Sequence, residues 1–182
     1  GAAVAVAGVL ERLDDEAVLV GHSYGGAVIT QAGMAGQVAH LVYLTALVPD
    51  KGQSAADVLA EAHRDTPPAS LFGRNAAGHL TADPGRAAEV FYGTCETATA
   101  AAATARLCPQ RAATLKQPAS VAAWRHRPST YVRCLQDGAI HLAAQDHMAA
   151  RCGTVVDLDT DHSPFICAPG ELADLLVPLS RR

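Results

Sequence analysis

Four short, largely apolar runs punctuate the chain: "AVLVG" (17–21), "HLVYLTALV" (40–48), "TYVRCL" (130–135) and "TVVDLD" (154–159). Their length and their β-branched and aromatic content predict strands buried in a parallel sheet. Between and after them, apolar positions recur at helical spacing over 24–35, over 142–151 ahead of Gly153, and over 169–179 with Pro169 at the start. Near the beginning, Val6, Val9, Leu10 and Leu13 share one face, with Glu11, Arg12 and Asp14 elsewhere, which predicts a further helix. Strand and helix in alternation predict an α/β fold, a doubly wound, mostly parallel sheet covered by helices on both faces.

The alternation stops between Pro49 and Pro128. That stretch holds helical pieces, one opened by Asp83 and Pro84 and one in the Ala-rich "TATAAAATARL", but no run that predicts a strand. It reads as a helical insertion, residues 49–128, within a single domain spanning 1–182, the domain count expected at this length.

Composition narrows the function. A net charge of −4 leaves no cationic surface of the kind nucleic acid or anionic lipid requires. No apolar run reaches the 18 or so residues of a membrane span. The opening run lacks the basic lead and small-residue cleavage site of a signal peptide, so a cytoplasmic location is expected for the chain as it stands; its first residue is Gly1, and any targeting signal would lie upstream. The five cysteines, Cys95, Cys108, Cys134, Cys152 and Cys167, are an odd number without a C-x-x-C pair. They predict buried free thiols rather than a metal site, with a Cys95–Cys108 bridge as the alternative.

One stretch carries chemistry. "VLVGHSYGG" places Ser23 between Gly21 and Gly25, directly after a strand and directly before a helix. A turn sharp enough to lift a serine hydroxyl above a sheet crowds its neighbours, which is the reason for glycine two positions either side. A phosphate-holding turn is the other reading of such a segment, but G-x-G-x-x-G is absent and no P-loop lysine follows. A serine needs a base and the base needs an orienting acid. Of eight histidines, His162 follows a late strand in "DTDHSPF", at the sheet end that also carries Ser23. His141 and His147 fall on a helix, His63, His79 and His126 in the insertion, and His40 at the start of a strand. His22 is expected to point away from the serine. For the acid, Asp137 emerges beyond the strand "TYVRCLQD", while Asp159 and Asp161 share the loop of His162 and read as surface carboxylates. The order Ser, Asp, His is that of the α/β-hydrolases.

Through "VLVGHSYGG", "LVYLTALVPD", "FYGTC", "AWRHRPSTYVRCLQD" and "DTDHSPFICAPGELADLL" the chain resembles the α/β-hydrolases, in the subfamily of small bacterial carboxylesterases, plant methyl-ester hydrolases and hydroxynitrile lyases. The resemblance implies Ser23 as nucleophile, Asp137 as acid, His162 as base, and residues 49–128 as a helical cap. The residues then spell a serine hydrolase for small, largely apolar carboxylic esters, with the Tyr24 backbone N–H as one oxyanion donor and no cofactor or metal required. Phe91, Tyr92 and Trp124 are assigned no site role. The alternatives are a non-catalytic small-ligand-binding protein or inactive fragment, and a hydroxynitrile lyase. Those lyases carry a lysine after the catalytic histidine, where Ser163 and Pro164 stand here. The family also places strands and an oxyanion loop upstream of the nucleophile, yet 22 residues precede Ser23. The fold is accordingly expected to be N-terminally incomplete, "AVLVG" to present a free edge that favours self-association, and ester turnover by these 182 residues alone to be weak.

Overall fold

A computed structural model describes residues 1–64 and 71–181. Among them are six strands, β1 (Ala17–His22), β2 (Val38–Leu44), β3 (Phe72–Arg74), β4 (Leu80–Ala82), β5 (Ser129–Cys134) and β6 (Thr154–Leu158). The α-helices are α1 (Ala2–Leu10), α2 (Gly25–Ala32), α3 (Ala55–Ala62), α4 (Pro84–Tyr92), α5 (Thr97–Thr104), α6 (Leu142–Ala149), α7 (Pro164–Cys167) and α8 (Pro169–Leu176).

The main sheet has the order β1-β2-β5-β6, all parallel. Strand periodicity divides β2 between two cores. Leu41 and Tyr43 pack on one face with Ile29 of α2 and Ala144 and Met148 of α6, while Val42 and Leu44 pack on the other with Val132, Leu158 and Leu172 of α8. The sheet is thus covered on both sides, and parallel pairing delivers the loops after all four strands to one edge. β1 holds an end of the sheet, with Val20 39% exposed.

The structure departs from several of the expectations above. The second strand stops at Leu44 rather than at Val48, because Thr45 takes a left-handed φ of 36° and turns the chain out of the sheet. The insertion contains strands after all: β3 and β4 form an antiparallel hairpin, turned by Asn75, whose Oδ1 accepts from the Ala77 and His79 amides, and by Gly78 at φ 74°. Its α4 does begin as its sequence predicts, with Asp83 Oδ1 accepting from the Gly85 amide and Pro84 in the first turn. Of the apolar stripe on α1, Leu10 is buried and Val6 packs on the core, but Val9 and Leu13 are 50% and 40% exposed.

The cysteines are also not all free. Cys95, after α4, is bonded to Cys167 at the end of α7, with a Cα–Cα distance of 4.7 Å. Neither the free-thiol expectation for this pair nor a Cys95–Cys108 bridge holds. Cys108 is exposed, Cys134 buried and Cys152 half-buried, and burial pushes the Cys152 thiol up to about 12. The native protein should therefore react with iodoacetamide at Cys108 alone and show three thiols after denaturation without reductant. Five thiols would exclude the bridge. By loop entropy, opening a crosslink of sequence separation 72 lowers stability by about 4 kcal/mol, measurable as a lowered urea midpoint under reducing conditions.

Candidate active site

The turn between β1 and α2 carries Ser23 at φ 52°, a left-handed conformation for a residue with a side chain. Hydrogen bonds fasten it to the exit of β2: the Ser23 amide donates to the Leu44 carbonyl at 3.3 Å, and the Ser23 carbonyl accepts from the Leu47 amide at 3.0 Å. The glycines around it divide differently from the expectation. A Cβ on Gly21 would lie 2.7 Å from the Gly25 carbonyl oxygen, and one on Gly26 would collide with the Leu47 carbonyl, whereas one on Gly25 would meet nothing within 4 Å. Close approach is demanded two positions before the serine and three after it. Among the described residues the Tyr24 N–H donates no backbone hydrogen bond, which leaves it available to a bound group.

His162 and Asp137 come together from the loops after β6 and β5. His162 is 4% exposed and Asp137 7%, with Nδ1 2.7 Å from Asp137 Oδ2. The remaining lone pairs of Asp137 are all used. Oδ1 accepts from the amides of Ala139 and Ile140 at 2.7 and 2.9 Å, and Oδ2 also accepts from the Thr45 hydroxyl. Burial alone would push this carboxyl up, but the hydrogen bond and charge of His162, with those from Thr45 and Ile140, hold it below the ordinary carboxylate range. An ionised Asp137 can only accept, so His162 Nδ1 carries a proton, and in the neutral imidazole the lone pair is then on Nε2. The loop is braced from α6, where fully buried Gln145 receives the Cys134 amide and donates to the carbonyls of Cys134 and Ile140.

Ser23 and His162 line one cavity of about 170 Å³, walled by apolar side chains that include Leu47, Leu59, Phe72, Leu80, Phe91 and Ile140. No hydrogen bond joins Ser23 to the imidazole among the described residues, a looseness common before substrate binds. A larger hollow of about 580 Å³ runs along α5 beside Tyr92 and Ile166, away from the serine.

Several neighbours were not legible in the sequence. His22 lies against His162, ring centroids 4.6 Å apart, and its Nε2 donates to the His162 carbonyl at 2.7 Å. Burial, and then the neighbouring His162, lower its pKa to about 4, so it is neutral across the physiological range. Phe91 stacks near His162 at 5.4 Å, while Trp124 stays outside the cavity, donating from Nε1 to the Pro49 carbonyl. Asp161 is not a surface carboxylate. It is 1% exposed and accepts from the Thr94 amide and hydroxyl and from the Ser163 amide. Asp159 is exposed and bonds Gln136. Among the described residues the one set of metal-ligating side chains close enough to share an ion is Cys95, Asp161 and Cys167, and its sulfurs are joined in the disulfide. No helix among those residues is long and apolar enough to cross a membrane.

A model of the alpha/beta hydrolase family matches residues 1–175. An alpha/beta hydrolase of Aspergillus novofumigatus, nvfD, is 30% identical over an alignment of 179 positions that covers 91% of this chain and 69% of that protein. A carbendazim hydrolyzing esterase of a Nocardioides species is 31% identical over an alignment of 179 positions, with 93% of this chain and 73% of that protein covered. Among solved structures, a pyrethroid hydrolase from Sphingobium faniae shares the fold with a TM-score of 0.77 at 24% identity, covering 98% of this chain and 76% of that one.

Proposed function

The chain belongs to the alpha/beta hydrolase family, and on that premise we propose that it is a serine esterase acting through an acyl-enzyme, with Ser23, His162 and Asp137 as its triad. The observation that carries the reading is that a serine held at φ 52° and an Asp-oriented imidazole line one apolar cavity. Ser23 Oγ attacks the ester carbonyl carbon while His162 Nε2 takes its proton. The tetrahedral oxyanion receives the Tyr24 N–H. Collapse expels the alcohol, which leaves with the proton returned from Nε2, and the acyl group stays on Oγ. Water then repeats the sequence: Nε2 takes its proton, its oxygen bonds the acyl carbon, and Oγ departs with the proton. Asp137 stays ionised throughout and stabilises the imidazolium. Residues 49–128 serve as the cap, supplying Leu59, Phe72, Leu80, Phe91 and Leu115 to the cavity, and this lining supports small, largely apolar ester groups as substrates.

A fluorophosphonate should label one serine stoichiometrically, and p-nitrophenyl acetate should give a burst of one p-nitrophenolate per chain. Both should vanish in Ser23→Ala. Labelling that survives the substitution would place the nucleophile elsewhere, and the absence of any label or burst in the wild-type protein would favour a non-catalytic ligand-binding role.

A further inference from the structure

Four of the residues that line the cavity beside Ser23 are polar: Ser23, Tyr24, Gln110 and His162. Three are accounted for. Ser23 and His162 carry the chemistry proposed above, on which the present inference rests, and the Tyr24 hydroxyl donates to the Thr114 carbonyl at 3.3 Å. Gln110 remains, half-buried in an otherwise apolar wall.

Its orientation is fixed by its neighbours. The Gln110 backbone exchanges two hydrogen bonds with Leu80 at the start of β4, at 2.8 and 2.9 Å, so the residue cannot swing away without breaking both. The Thr114 hydroxyl spends its proton on the Arg111 carbonyl at 2.7 Å and can only accept from Gln110. The group 2.9 Å from it is therefore the amide nitrogen Nε2, which settles the choice between the two ends of the amide. Thr114 is not part of the cavity wall, so the tethered nitrogen is turned toward it. The opposite end, the carbonyl Oε1, accepts no hydrogen bond from the described residues.

We propose that Gln110 is a specificity-determining residue that selects esters carrying a hydrogen-bond donor, its Oε1 accepting an N–H or O–H of the substrate while Ser23 attacks the carbonyl. An acceptor in an apolar wall discriminates in one direction. A substrate that supplies the donor satisfies it, whereas an analogue capped with methyl leaves the carbonyl desolvated and unpaired, a difference worth roughly tenfold or more in kcat/KM.

Three matched pairs of esters test the assignment and distinguish the source of the donor: N-acetylglycine methyl ester against N-acetylsarcosine methyl ester, methyl 3-hydroxybutanoate against methyl 3-methoxybutanoate, and 2-hydroxyethyl acetate against 2-methoxyethyl acetate. The readout is the ratio of kcat/KM within a pair, compared between the wild type, Gln110→Leu and Gln110→Glu, so that intrinsic reactivity cancels. The expected result is a ratio that falls roughly tenfold in Gln110→Leu for at least one pair and is kept in Gln110→Glu, which retains an acceptor. The pair affected identifies an acyl N–H, an acyl hydroxyl or an alcohol-side hydroxyl as the group recognised. Ratios that are the same in Gln110→Leu as in the wild type for all three pairs, with ester turnover intact, overturn the role of Gln110 and leave the esterase reading standing. Failure of the wild type to hydrolyse any of the six esters, together with an absent fluorophosphonate label, overturns both.

Discussion

Ser23→Ala and His162→Ala should each lower kcat for p-nitrophenyl acetate by on the order of 10⁴-fold or more, about 5.5 kcal/mol of transition-state stabilisation, and the double variant should be scarcely slower than either. The reason is that neither group acts alone: an unassisted hydroxyl is a poor nucleophile, and an imidazole with no hydroxyl beside it has no proton to take. What activity remains should come from the Tyr24 N–H and the cavity. Losses that multiply in the double variant would mean that the two residues contribute through separate mechanisms, and the proposed triad would fail.

The second large effect belongs to Asp137. Asp137→Asn keeps the size and burial of the side chain but faces His162 with an amide that can donate, which favours the proton on Nε2, the atom that must accept from Ser23. Loss of about 10⁴ in kcat is expected. Asp161→Asn is the informative control. Asp161 is as deeply buried and adjoins His162 in sequence, but its oxygens are spent on Thr94 and Ser163, so the substitution should lower thermal stability and leave kcat within a few-fold of wild type. Near-normal turnover in Asp137→Asn with a crippled Asp161→Asn would transfer the role of acid to Asp161.

The parts of this arrangement that could be read from the sequence are those encoded locally. Each parallel strand announces itself by a short apolar run, and parallel pairing sends the loop after each strand to the same edge. Ser23, Asp137 and His162, which follow β1, β5 and β6, therefore meet there without any knowledge of distance. The illegible parts depend on packing between segments remote in sequence. Cys95 and Cys167 are joined because the turn after α4 passes the end of α7 in space, and nothing in their spacing says so. Thr45 sits inside an apolar run that looks like uninterrupted strand, and only its left-handed backbone, which ends β2 and aims the hydroxyl at Asp137, reveals a role. The β3–β4 hairpin escapes because strands of three residues are too short to show a period, and every residue of β3 is exposed. The glycine pattern misled by one position: the turn needs space at Gly26, where the Leu47 carbonyl passes, and not at Gly25.

The bond between Cys95 and Cys167 also gives the chain a topology. It closes a covalent ring that runs through α5, β5, α6 and β6 and contains both Asp137 and His162, while Ser23 lies on the tail outside it. A nick at exposed Arg106, inside the ring, opens the ring without dividing the molecule. A nick at exposed Arg74, on the tail, divides it in two, with the serine on one piece and both of its partners on the other.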